Sequence, residues 1–561
     1  MNKKLTVIPI VFLLVATQLV FASSINTDNN GKIKIDLKSN DLPSSFSWTD
    51  KDGVDYTTPI RRQMPYASCE SFAFVAAIET MVQYKLGFSF NCDLSEAHLF
   101  FHSDGNIAWG SYPENDTNYL VEHGVPDEAC WPYPTDKKQY PKNTTCDCWE
   151  ERAVKIKSWD FLPPNNITAI KEALVNNGPV PVHFNVYEDF GYYLNGIYRH
   201  RWGESVALHC VCIMGYKDDP RITGGGYWIV KNSWGKKWGD NGWFRVAYGE
   251  ASIEQMPIIF GEVYGNFPVV YVDDDNTMGP WDGSEEYPYQ TISSGIDNAY
   301  NGWAVYVKNG TYYENIKINK TVTLVGENSK NTIIDGEHKK NVTYVNASGV
   351  KITGFTIKNS GPSMKYAGIR TVNLEPNLVV EDCIIKDNYY GIYLNCADYW
   401  SYPETGNLIT NNIIENNVEG IRAFWVHNNE IIDNVISNNS ENGIFMESGK
   451  FSKIENNSIS DNQEKGIYLH GGSSETKILD NKIINNSYGL LLEETNDCKI
   501  KNNFFIENGV QAGFYRSRGN RWFGNYWSDW QRILPRPIKG TLNLFRIPWY
   551  NFDWRPLILY K

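Results

Sequence analysis

The chain has 561 residues, of which 42% are hydrophobic and 21% are charged, and this composition is typical of globular domains. Its length exceeds what a single hydrophobic core usually organises, so we expect two or more domains. The formal net charge of −13 argues against nucleic acid as a partner and against simple adsorption to anionic lipid, because both need a basic surface.

Residues 1–22 are predicted to be a secretory signal peptide. Two lysines open the segment, the mostly apolar run Val7–Phe21 follows, and the residues around Ala22 suit cleavage. An uncleaved anchor is the alternative, but the apolar run is short for a membrane span, which needs roughly 20 residues. The mature chain is therefore expected to be secreted, extracellular or held at the cell surface, without a transmembrane anchor. The polar residues 23–40 are expected to form a flexible lead-in.

Residues 41–264 combine helical and strand patterns and contain three segments that carry chemistry. In the first, residues 63–74, the apolar spacing becomes helical after Cys69, which predicts that Cys69 begins a helix. The positive end of the helix dipole lowers the pKa of a thiol in that position. The second segment is a predicted strand that contains His209, and the third contains Asn232. A thiolate nucleophile needs a nearby base, and the base needs an orienting partner, so these three residues are candidates for catalysis.

The same region resembles the papain-like (C1 family) cysteine peptidases over its whole length. The most specific match is the block Lys231–Gly235, which reads Lys-Asn-Ser-Trp-Gly, with Trp-Gly and Asn-Gly pairs soon after it. Gln63, which stands six residues before Cys69, also matches the family pattern. Further matches follow in chain order at Leu42–Trp48, Leu94–Glu96, Trp131–Tyr133 and Gly178–Val180. The resemblance implies an α+β papain-like fold that hydrolyses peptide bonds of protein or peptide substrates.

The resemblance also implies a role for each matching residue. Cys69 is the nucleophile, His209 accepts its proton and later protonates the leaving amine, and Asn232 holds the imidazole ring. The Gln63 side chain and the Cys69 backbone N–H form the oxyanion hole. One such donor contributes roughly 2.7–4 kcal/mol of transition-state stabilisation.

Three further residues are expected to lie beside the substrate. Trp234 is expected to shield the bond between Asn232 and His209 from water. Ala207 and Leu208 come directly before the base and are expected to line the substrate pocket. The other pocket walls come from loops that the sequence does not place, so no peptide preference is predicted.

Two positions depart from the family pattern. Tyr66 stands where many members carry a disulfide cysteine, which predicts that this bridge is lost. Glu70 stands where the family usually has tryptophan, and a carboxylate that pointed into the cleft would raise the pKa of Cys69. We expect Glu70 to face the helix dipole and solvent instead, because a buried unpaired charge is expensive. A catalytically weak or inactive peptidase fold, which serves as a binding or structural cell-surface protein, therefore remains the alternative.

Family members commonly carry a long helical inhibitory propeptide before the catalytic domain. The stretch between Ala22 and Asp41 is too short for one. We therefore expect peptidase activity to appear without removal of a large prosegment.

The other histidines and cysteines of this region are expected to be structural, and several of the cysteines to form disulfides. Ten cysteines in an exported chain favour disulfides over free thiols, which are the alternative. A bond between Cys146 and Cys148 would close a strained ring, so Cys92 is expected to bond to one of them and Cys130 to the other. The residues expected to pack in the interior are His98, His102, His183, Cys210 and Cys212. N-glycosylation is expected at some of the sequons Asn115, Asn143, Asn166, Asn309, Asn319, Asn341, Asn346, Asn438, Asn456 and Asn485.

Residues 265–530 repeat a pattern in which an Asn-rich stretch precedes Gly-Ile-x-Leu or a close variant. Successive glycines are separated by 23, 29, 23, 23, 23 and 24 residues, and the long interval contains a predicted insertion loop, Ala397–Gly406. The repeat glycines are Gly368, Gly391, Gly420, Gly443, Gly466, Gly489 and Gly513.

This period predicts one coil of a parallel β-solenoid per repeat. It is too short for two helices, and a leucine-rich repeat, the alternative, would need a Leu-x-x-Leu-x-Leu frame that is missing. We expect Ile, Leu and Val inside, glycine at corners with positive φ, and asparagine ladders along the axis. Thr291–Ala299 predicts a short helix that caps the first coil, and residues 531–561 are expected to be a tail or cap. The aromatic residues expected to cover the last coil are Trp522, Tyr526, Trp527 and Trp530.

The coils and the motif Gly524–Trp527 resemble the NosD-like repeats of secreted archaeal proteins, within the right-handed parallel β-helices of the pectin-lyase-like class. Such domains either process polysaccharides or act as binding and spacer modules. The coils contain no paired Asp motif, and Asp273–Asp275 is expected to be a solvated turn rather than a Ca²⁺ site. We therefore expect no metal or cofactor and a β-helix for surface or glycan binding or for spacing, with a cell-surface glycan as a candidate partner. A glycan-processing helix with an accessory peptidase is the third hypothesis.

Overall fold

The computed structural model describes residues 42–136, 146–371, 377–395, 406–530, 532, 534–542 and 547–557. The predicted signal peptide, the lead-in, nearly all of the predicted insertion and parts of the C-terminal tail lie outside the described residues. Within the part of the chain that is described, no helix is long and apolar enough to cross a membrane. The domain boundaries and the signal peptide remain predictions.

Four helices and ten strands form the first half of the molecule, and their arrangement confirms the predicted α+β class. The helices are α1 (Cys69–Leu86), α2 (Glu96–His102), α3 (Pro113–Glu122) and α4 (Ile167–Asn176). The strands are β1 (Ser45–Ser47), β2 (Val154–Ile156), β3 (Trp159–Phe161), β4 (Val180–Tyr187), β5 (Ile197–Tyr198), β6 (Ser205–Asp218), β7 (Gly226–Lys231), β8 (Trp243–Ala247), β9 (Ile258–Phe260) and β10 (Val263–Gly265).

The long strand β6 organises the main sheet. Its neighbours are arranged in the order β1-β6-β7-β8-β5, and β4 pairs with the opposite end of β6. Two small antiparallel pairs, β2 with β10 and β3 with β9, complete this half. Helix α1 packs against β6 and β4. Its buried apolar residues include Phe74, Val75, Ala77, Ile78 and Val82. The fold therefore sets the N-terminus of α1 against the sheet that carries His209.

The second half is a parallel β-solenoid with three sheets, as the period predicted. Sheet A contains Val269–Val272, Ala304–Val307, Thr323–Gly326, Lys351–Thr353, Val379–Glu381, Leu408–Thr410, Glu430–Ile432, Lys453–Glu455, Lys477–Leu479, Lys499–Lys501 and Arg521–Phe523. Sheet B contains Gly310–Tyr312, Thr332–Asp335, Thr356–Lys358, Ile384–Lys386, Ile413–Glu415, Val435–Ser437, Ser458–Ser460, Lys482–Ile484, Phe504–Ile506 and Tyr526–Trp527. Sheet C contains Ile316–Ile318, Thr343–Val345, Ala367–Thr371, Tyr390–Asn395, Glu419–Phe424, Ile444–Glu447, Lys465–His470, Tyr488–Glu493 and Val510–Tyr515.

Apolar side chains stack inside the solenoid in register from coil to coil. The middle position of successive sheet A strands forms one buried stack, namely Val380, Ile409, Ile431, Ile454, Ile478, Ile500 and Trp522. Each fully buried aliphatic side chain contributes roughly 1.5–3 kcal/mol. Because one coil supplies only part of the core, each coil needs its neighbours, as in other solenoids.

The predicted asparagine ladders are present and buried. The backbone N–H and the side-chain Nδ2 of Asn434 donate to Asn457 Oδ1 at 2.9 and 3.0 Å, and Asn457 donates in the same way to Asn481. At the last coil Asn525 donates both groups to Asp553 Oδ2 at 3.0 Å, so Asp553 replaces the asparagine that a further coil would supply. This ladder consists of Asn412, Asn434, Asn457, Asn481, Asn503, Asn525 and Asp553.

The prediction that the repeat glycines occupy corners with positive φ is wrong. Gly391 and Gly466 lie inside sheet C strands, and a Cβ on Gly391 would come within 2.5 Å of the carbonyl oxygen of the repeat glycine in the next coil. The coils approach too closely there for any side chain. The left-handed corners are filled instead by residues such as Asn411 and Asp433, with φ of 59° each, which tolerate this conformation through local hydrogen bonds.

Both ends of the solenoid are covered. The predicted capping helix is confirmed as α5 (Ile292–Asn298), whose Ile292 and Ile296 join the solenoid core. At the other end, residues Arg536–Leu542 and Ile547–Asp553 form an antiparallel hairpin that pairs with the last strands of sheets C and A. Beneath it, Trp527 stacks on Phe505 with 4.4 Å between ring centres. These caps protect apolar surface and strand edges that an open solenoid would expose.

The first coil packs directly on the helical half of the molecule. Phe88 stacks on Tyr306 with 4.9 Å between ring centres, and the Arg152 guanidinium lies 3.7 Å from the centre of the Tyr300 ring. Val269 and Ala304 from sheet A are buried in the same apolar cluster as the residues of α1. The two halves therefore share a core rather than meeting through a loose linker.

The disulfide prediction is right for one pair and wrong for Cys92. Cys130 is bonded to Cys146, whereas Cys92 and Cys148 have free thiols. Cys92 is fully buried in the apolar cluster around α1, so it packs against apolar side chains instead of another cysteine. Cys148 Sγ lies 3.3 Å from Cys146 Sγ without a bond. The loss of the family bridge at Tyr66 was predicted, and Tyr66 packs instead against the rings of Phe101 and Tyr133.

Candidate active site

The predicted nucleophile stands at the start of α1, and the predicted base and its orienting residue lie in, or directly after, strands of the sheet on which α1 packs. Cys69 is the first residue of α1, His209 lies in β6, and Asn232 directly follows β7. The backbone N–H groups of Cys69, Glu70 and Cys210 all act on the Cys69 thiol and favour its ionised form. Since Cys210 is the neighbour of His209 in β6, the thiol lies next to the strand that carries the base.

The hydrogen bond between His209 and Asn232 fixes the orientation and tautomer of the imidazole ring. His209 Nε2 lies 2.9 Å from Asn232 Oδ1, which also accepts the backbone N–H of Ser233 at 2.8 Å. An amide oxygen can only accept, so Nε2 carries the hydrogen and Nδ1 keeps its lone pair. His209 Nδ1 is therefore the atom that can accept a proton, as a general base must.

Trp234 covers the imidazole of His209, whereas its role in shielding the bond between Asn232 and His209 from water stays a prediction. Its ring stacks on the His209 ring with 4.9 Å between centres and an interplanar angle of 27°. His209 and Asn232 are only 5% and 3% exposed. A hydrogen bond held away from water in this way is stronger than one at the surface.

Burial shifts the pKa values of Cys69 and His209 in ways that the helix dipole alone does not predict. Although Cys69 retains some exposed surface, burial raises the pKa of its thiol to about 11, against the opposing effect of the three backbone N–H groups. Burial also lowers the pKa of His209 to about 4. The direction of the shift in the Cys69 pKa is therefore opposite to the one that the helix dipole alone predicts. A lone charge is disfavoured on either group, and their protonation changes are expected to be coupled because imidazolium would stabilise thiolate.

Gln63 is held by four hydrogen bonds, one of which the Tyr66 backbone N–H donates to the Gln63 carbonyl at 3.2 Å. Ser233 Oγ donates to Gln63 Oε1 at 2.7 Å, and the Gln63 backbone N–H donates to the Ser233 carbonyl at 2.9 Å. The Tyr133 hydroxyl donates to the Gln63 carbonyl. Because Oε1 is engaged by Ser233, the amide is oriented, and no described residue accepts a hydrogen bond from its Nε2. Gln63 can therefore offer Nε2 as a donor to a ligand.

Exposed apolar side chains border the cleft on both sides. Leu208 is 62% exposed and Ala207 is also exposed, just ahead of His209 on β6. On the α1 side, the loop with Trp109 approaches the nucleophile, since Gly110 lies close to the Ala67 carbonyl. The exposed aromatic residues Trp109, Tyr112 and Trp202 were not predicted. They lie in loops without a periodic pattern, so no sequence signal identified them.

The expectation that Glu70 faces solvent is wrong. Glu70 is 3% exposed, and its Oε1 lies 3.4 Å from His183 Nε2, while Ser111 Oγ lies 3.3 Å from Oε2. His183 from β4 supplies the Glu70 carboxyl with a partner, and it lies near Glu70 only in the folded chain. His183, predicted to be merely structural, thus belongs to the surroundings of the nucleophile. Burial raises the pKa of the Glu70 carboxyl.

A second buried carboxyl lies behind Glu70. Asp116 in α3 is fully buried and accepts hydrogen bonds from the hydroxyls of Ser71, Ser103 and Ser111. Burial raises its pKa to about 8, and the nearby charge of Glu70 acts in the same direction. Two neighbouring carboxyls that share the Ser111 hydroxyl cannot easily both be ionised, so one of them holds a proton at neutral pH.

We expect this proton to make the stability of the protein depend on pH. The pKa of Asp116 is about 8 in the folded state and about 3.9 in an unfolded chain, so folding takes up a proton between these values. The contribution of Asp116 to stability is complete below pH 4 and is lost as the pH rises towards 8. Asp116→Asn, which imitates the protonated carboxyl, should therefore show a smaller fall in melting temperature between pH 5 and pH 8 than the wild type. The exposed variant Asp50→Asn serves as the control, and equal slopes in all three proteins would contradict the argument.

Two family models match the chain. A model described as papain family cysteine protease matches residues 42–260, and one described as periplasmic copper-binding protein (NosD) matches residues 296–531. Within the described residues, no group of three or more His, Cys, Asp or Glu side chains is placed to hold a metal ion, so the solenoid does not fit a copper site. In the Asp273–Asp275 turn, Asp274 Oδ2 accepts the Thr311 N–H at 3.1 Å, and Asp273 pairs with Lys308.

Curated relatives and a solved structure match the first half. Cathepsin C from Schistosoma mansoni is 32% identical over 261 residues, which are 43% of this chain and 56% of that protein. Cysteine proteinase 2 from Entamoeba histolytica is 32% identical over 229 residues, which are 39% of this chain and 68% of that protein. The structure of the bromelain protease from Ananas comosus with the E64 inhibitor is 26% identical, covers 39% of this chain and 99% of that chain, and has a TM-score of 0.34. The chain thus spans about half the length of the cathepsin C that it matches.

Proposed function

This chain belongs to the papain family of cysteine proteases, and on that premise we propose that it is a secreted endopeptidase that uses Cys69 as its nucleophile. The observation that carries the proposal is the assembly of the site. The thiol stands at the start of α1 beside β6, and the base in β6 is locked by Asn232 at 2.9 Å. Such a nucleophile with an oriented base is the arrangement that acyl transfer requires.

The proposed reaction proceeds through an acyl-enzyme. His209 Nδ1 takes the proton of Cys69 Sγ as sulfur attacks the peptide carbonyl carbon, and the resulting oxyanion accepts hydrogen bonds from Gln63 Nε2 and the Cys69 N–H. The C–N bond then breaks, His209 returns the proton to the leaving amine, and a thioester remains. Water attacks the thioester while His209 takes a proton from it, which releases the carboxylic acid and restores the thiol. Asn232 keeps the imidazole aligned through both steps.

The apolar cleft walls support a peptide substrate with bulky apolar side chains. Leu208, Ala207 and Trp234 adjoin the base on one side, and the loop with Trp109 borders the other. Exposed apolar surface of this kind marks binding sites on soluble proteins. In this proposal the solenoid holds the peptidase at a cell surface or on a glycan, or spaces it from one.

A catalytically weak protein is the second candidate, and a specific observation favours it. Burial and, to a smaller extent, the adjacent Glu70 carboxyl raise the pKa of Cys69 to about 11. Both effects reduce the fraction of reactive thiolate unless His209 takes the proton.

An epoxide that alkylates reactive thiolates distinguishes the two candidates. The full chain is incubated with one equivalent of the epoxide, the modified residue is identified by mass spectrometry, and hydrolysis of a fluorogenic peptide library is measured. We expect a single adduct on Cys69 and a parallel loss of hydrolysis. Hydrolysis that persists after complete modification, or a folded protein that neither reacts nor hydrolyses any peptide, would overturn the proposed activity.

A further inference from the structure

Four basic residues form a column on the outer face of sheet A. Lys453, Lys477, Lys499 and Arg521 occupy the same position of four successive strands and are paired directly in register. Adjacent strands lie about 4.8 Å apart, so the four charges follow one another at that spacing. We call them the cation column.

The cation column is not neutralised by the protein. Only Lys453 makes an ion pair, with Glu455, whereas Lys477, Lys499 and Arg521 are exposed and make no ion pair with any residue that the structure describes. Like charges placed directly opposite each other on neighbouring strands destabilise a sheet. In a chain with a net charge of −13, an uncompensated row of cations indicates a ligand that supplies the negative charge.

The column leads into a cleft at the far end of the solenoid. The cleft has a volume of about 760 Å³, and its floor includes Lys499, Lys501 and Arg521. Its wall is the end hairpin, whose strand Ile547–Asp553 joins sheet A through the pairing of Trp522 with Asp553. The remaining residues that line it are Asn520, Trp522, Phe523, Tyr550, Asn551, Phe552 and Trp554.

The lining of the cleft offers exposed apolar rings on the same face as the cations. Trp554 is 67% exposed, Tyr550 48% and Phe523 43%, which is unusual for aromatic residues so close together. Trp522 pairs with Asp553, so Phe523 lies opposite Trp554 on the outer face that also carries Arg521. The cleft therefore combines aromatic rings with uncompensated positive charge.

We propose that this cleft, together with the cation column, binds an acidic polysaccharide. The repeated carboxylate or sulfate groups of such a polymer match cations that recur along one line. The apolar faces of its sugar rings pack on the exposed aromatic rings. This inference deepens the proposed surface-binding role of the solenoid and specifies its place and ligand.

Single-stranded nucleic acid is the other polymer that combines cations with aromatic stacking. The overall charge of −13 opposes it, because a polyanion with a high charge density is repelled by the rest of the surface. A polysaccharide with fewer charges per unit length experiences less repulsion and gains more from packing on the aromatic rings. Single-stranded nucleic acid is therefore included in the test only as a polymer whose tighter binding would contradict the inference.

The test measures binding of the full chain to dextran sulfate, polygalacturonate, neutral dextran and oligothymidylate by affinity electrophoresis and calorimetry. Dextran and dextran sulfate share a backbone and differ in charge. We expect saturable binding to at least one acidic polysaccharide that weakens with added salt and is absent for neutral dextran. Lys499→Gln/Arg521→Gln and Trp554→Ala should each weaken it at least tenfold, whereas Lys482→Gln, an exposed lysine on sheet B, should not.

Three results would overturn the inference: no saturable binding to either acidic polysaccharide, equal binding to neutral dextran, or tighter binding to oligothymidylate. Melting curves of every variant show whether the hairpin end remains folded, and Trp554→Phe, which keeps the ring, should retain most of the affinity. Peptide hydrolysis is recorded for the same samples. Because binding is measured independently of hydrolysis, an inactive protein that binds the polymer refutes only the proposed peptidase, and an active one that does not bind refutes only this inference.

Discussion

Cys69→Ala is expected to reduce kcat/KM for peptide hydrolysis by at least about 10⁴-fold while the protein stays folded. Cys69 is the one thiol that stands at the first position of α1, receives three backbone N–H groups and adjoins the strand with the base. Without sulfur no thioester can form, and the remaining oxyanion donors and binding contacts give only slow direct hydrolysis. The rate is measured with a fluorogenic peptide, and the fold is checked by thermal unfolding.

A matched thiol gives the control for this result. Cys148 is also half-buried and free, and it lies in the same half of the molecule. Cys148→Ala should leave kcat/KM within a factor of two or so, because it contacts no residue of the site. If both variants lost activity equally, or if Cys69→Ala remained active, the assignment of the nucleophile would be wrong.

Gln63→Ala is expected to lower kcat by about 10²- to 10³-fold with little change in KM. Its Oε1 is held by Ser233 Oγ at 2.7 Å, which leaves Nε2 as a donor towards the position where the oxyanion develops. A donor that acts mainly on the transition state changes kcat rather than KM. Ser233→Ala should lower kcat in the same direction but less, since it removes only the group that orients the amide.

The control for Gln63 is Gln255→Ala, which removes an exposed glutamine from the same half of the molecule. Its kcat and KM should equal those of the wild type. An unchanged kcat in Gln63→Ala would exclude the side chain from the oxyanion hole. An increase in KM alone would make it a ground-state binding residue instead.

The residues of the candidate site were predictable because each lies in a distinctive local block. The structure joins His209 to Asn232 and sets Cys69 at the start of the helix that packs on β6. Their surroundings were not predictable in the same way. Whether a carboxylate at position 70 is buried depends on His183, which belongs to a strand far along the chain. No local pattern tells which distant side chain will meet a given charge.

In the solenoid, too, the features set by the sequence repeat were predictable, and those set by contacts between distant residues were not. The repeat length predicts the coil, the buried stacks and the ladders, because each depends on residues spaced by one period. The role of the repeat glycines was mistaken because it depends on the distance between coils, where Gly391 leaves no room for a Cβ. The end hairpin and its cleft were not foreseen beyond a tail or cap, since they arise from pairing with the last coil.

Because the first coil and the helical half share a core, the distance from the peptidase half to the far end of the solenoid is fixed. Phe88 and Tyr306 fix the peptidase to one end, and sheet B then stacks ten strands, which extend about 45 Å at the usual spacing. Each complete coil added or removed would change that length by about 4.8 Å and leave both ends intact. If the far end is attached as proposed, the number of coils therefore sets the distance from the attachment point at which the peptidase acts.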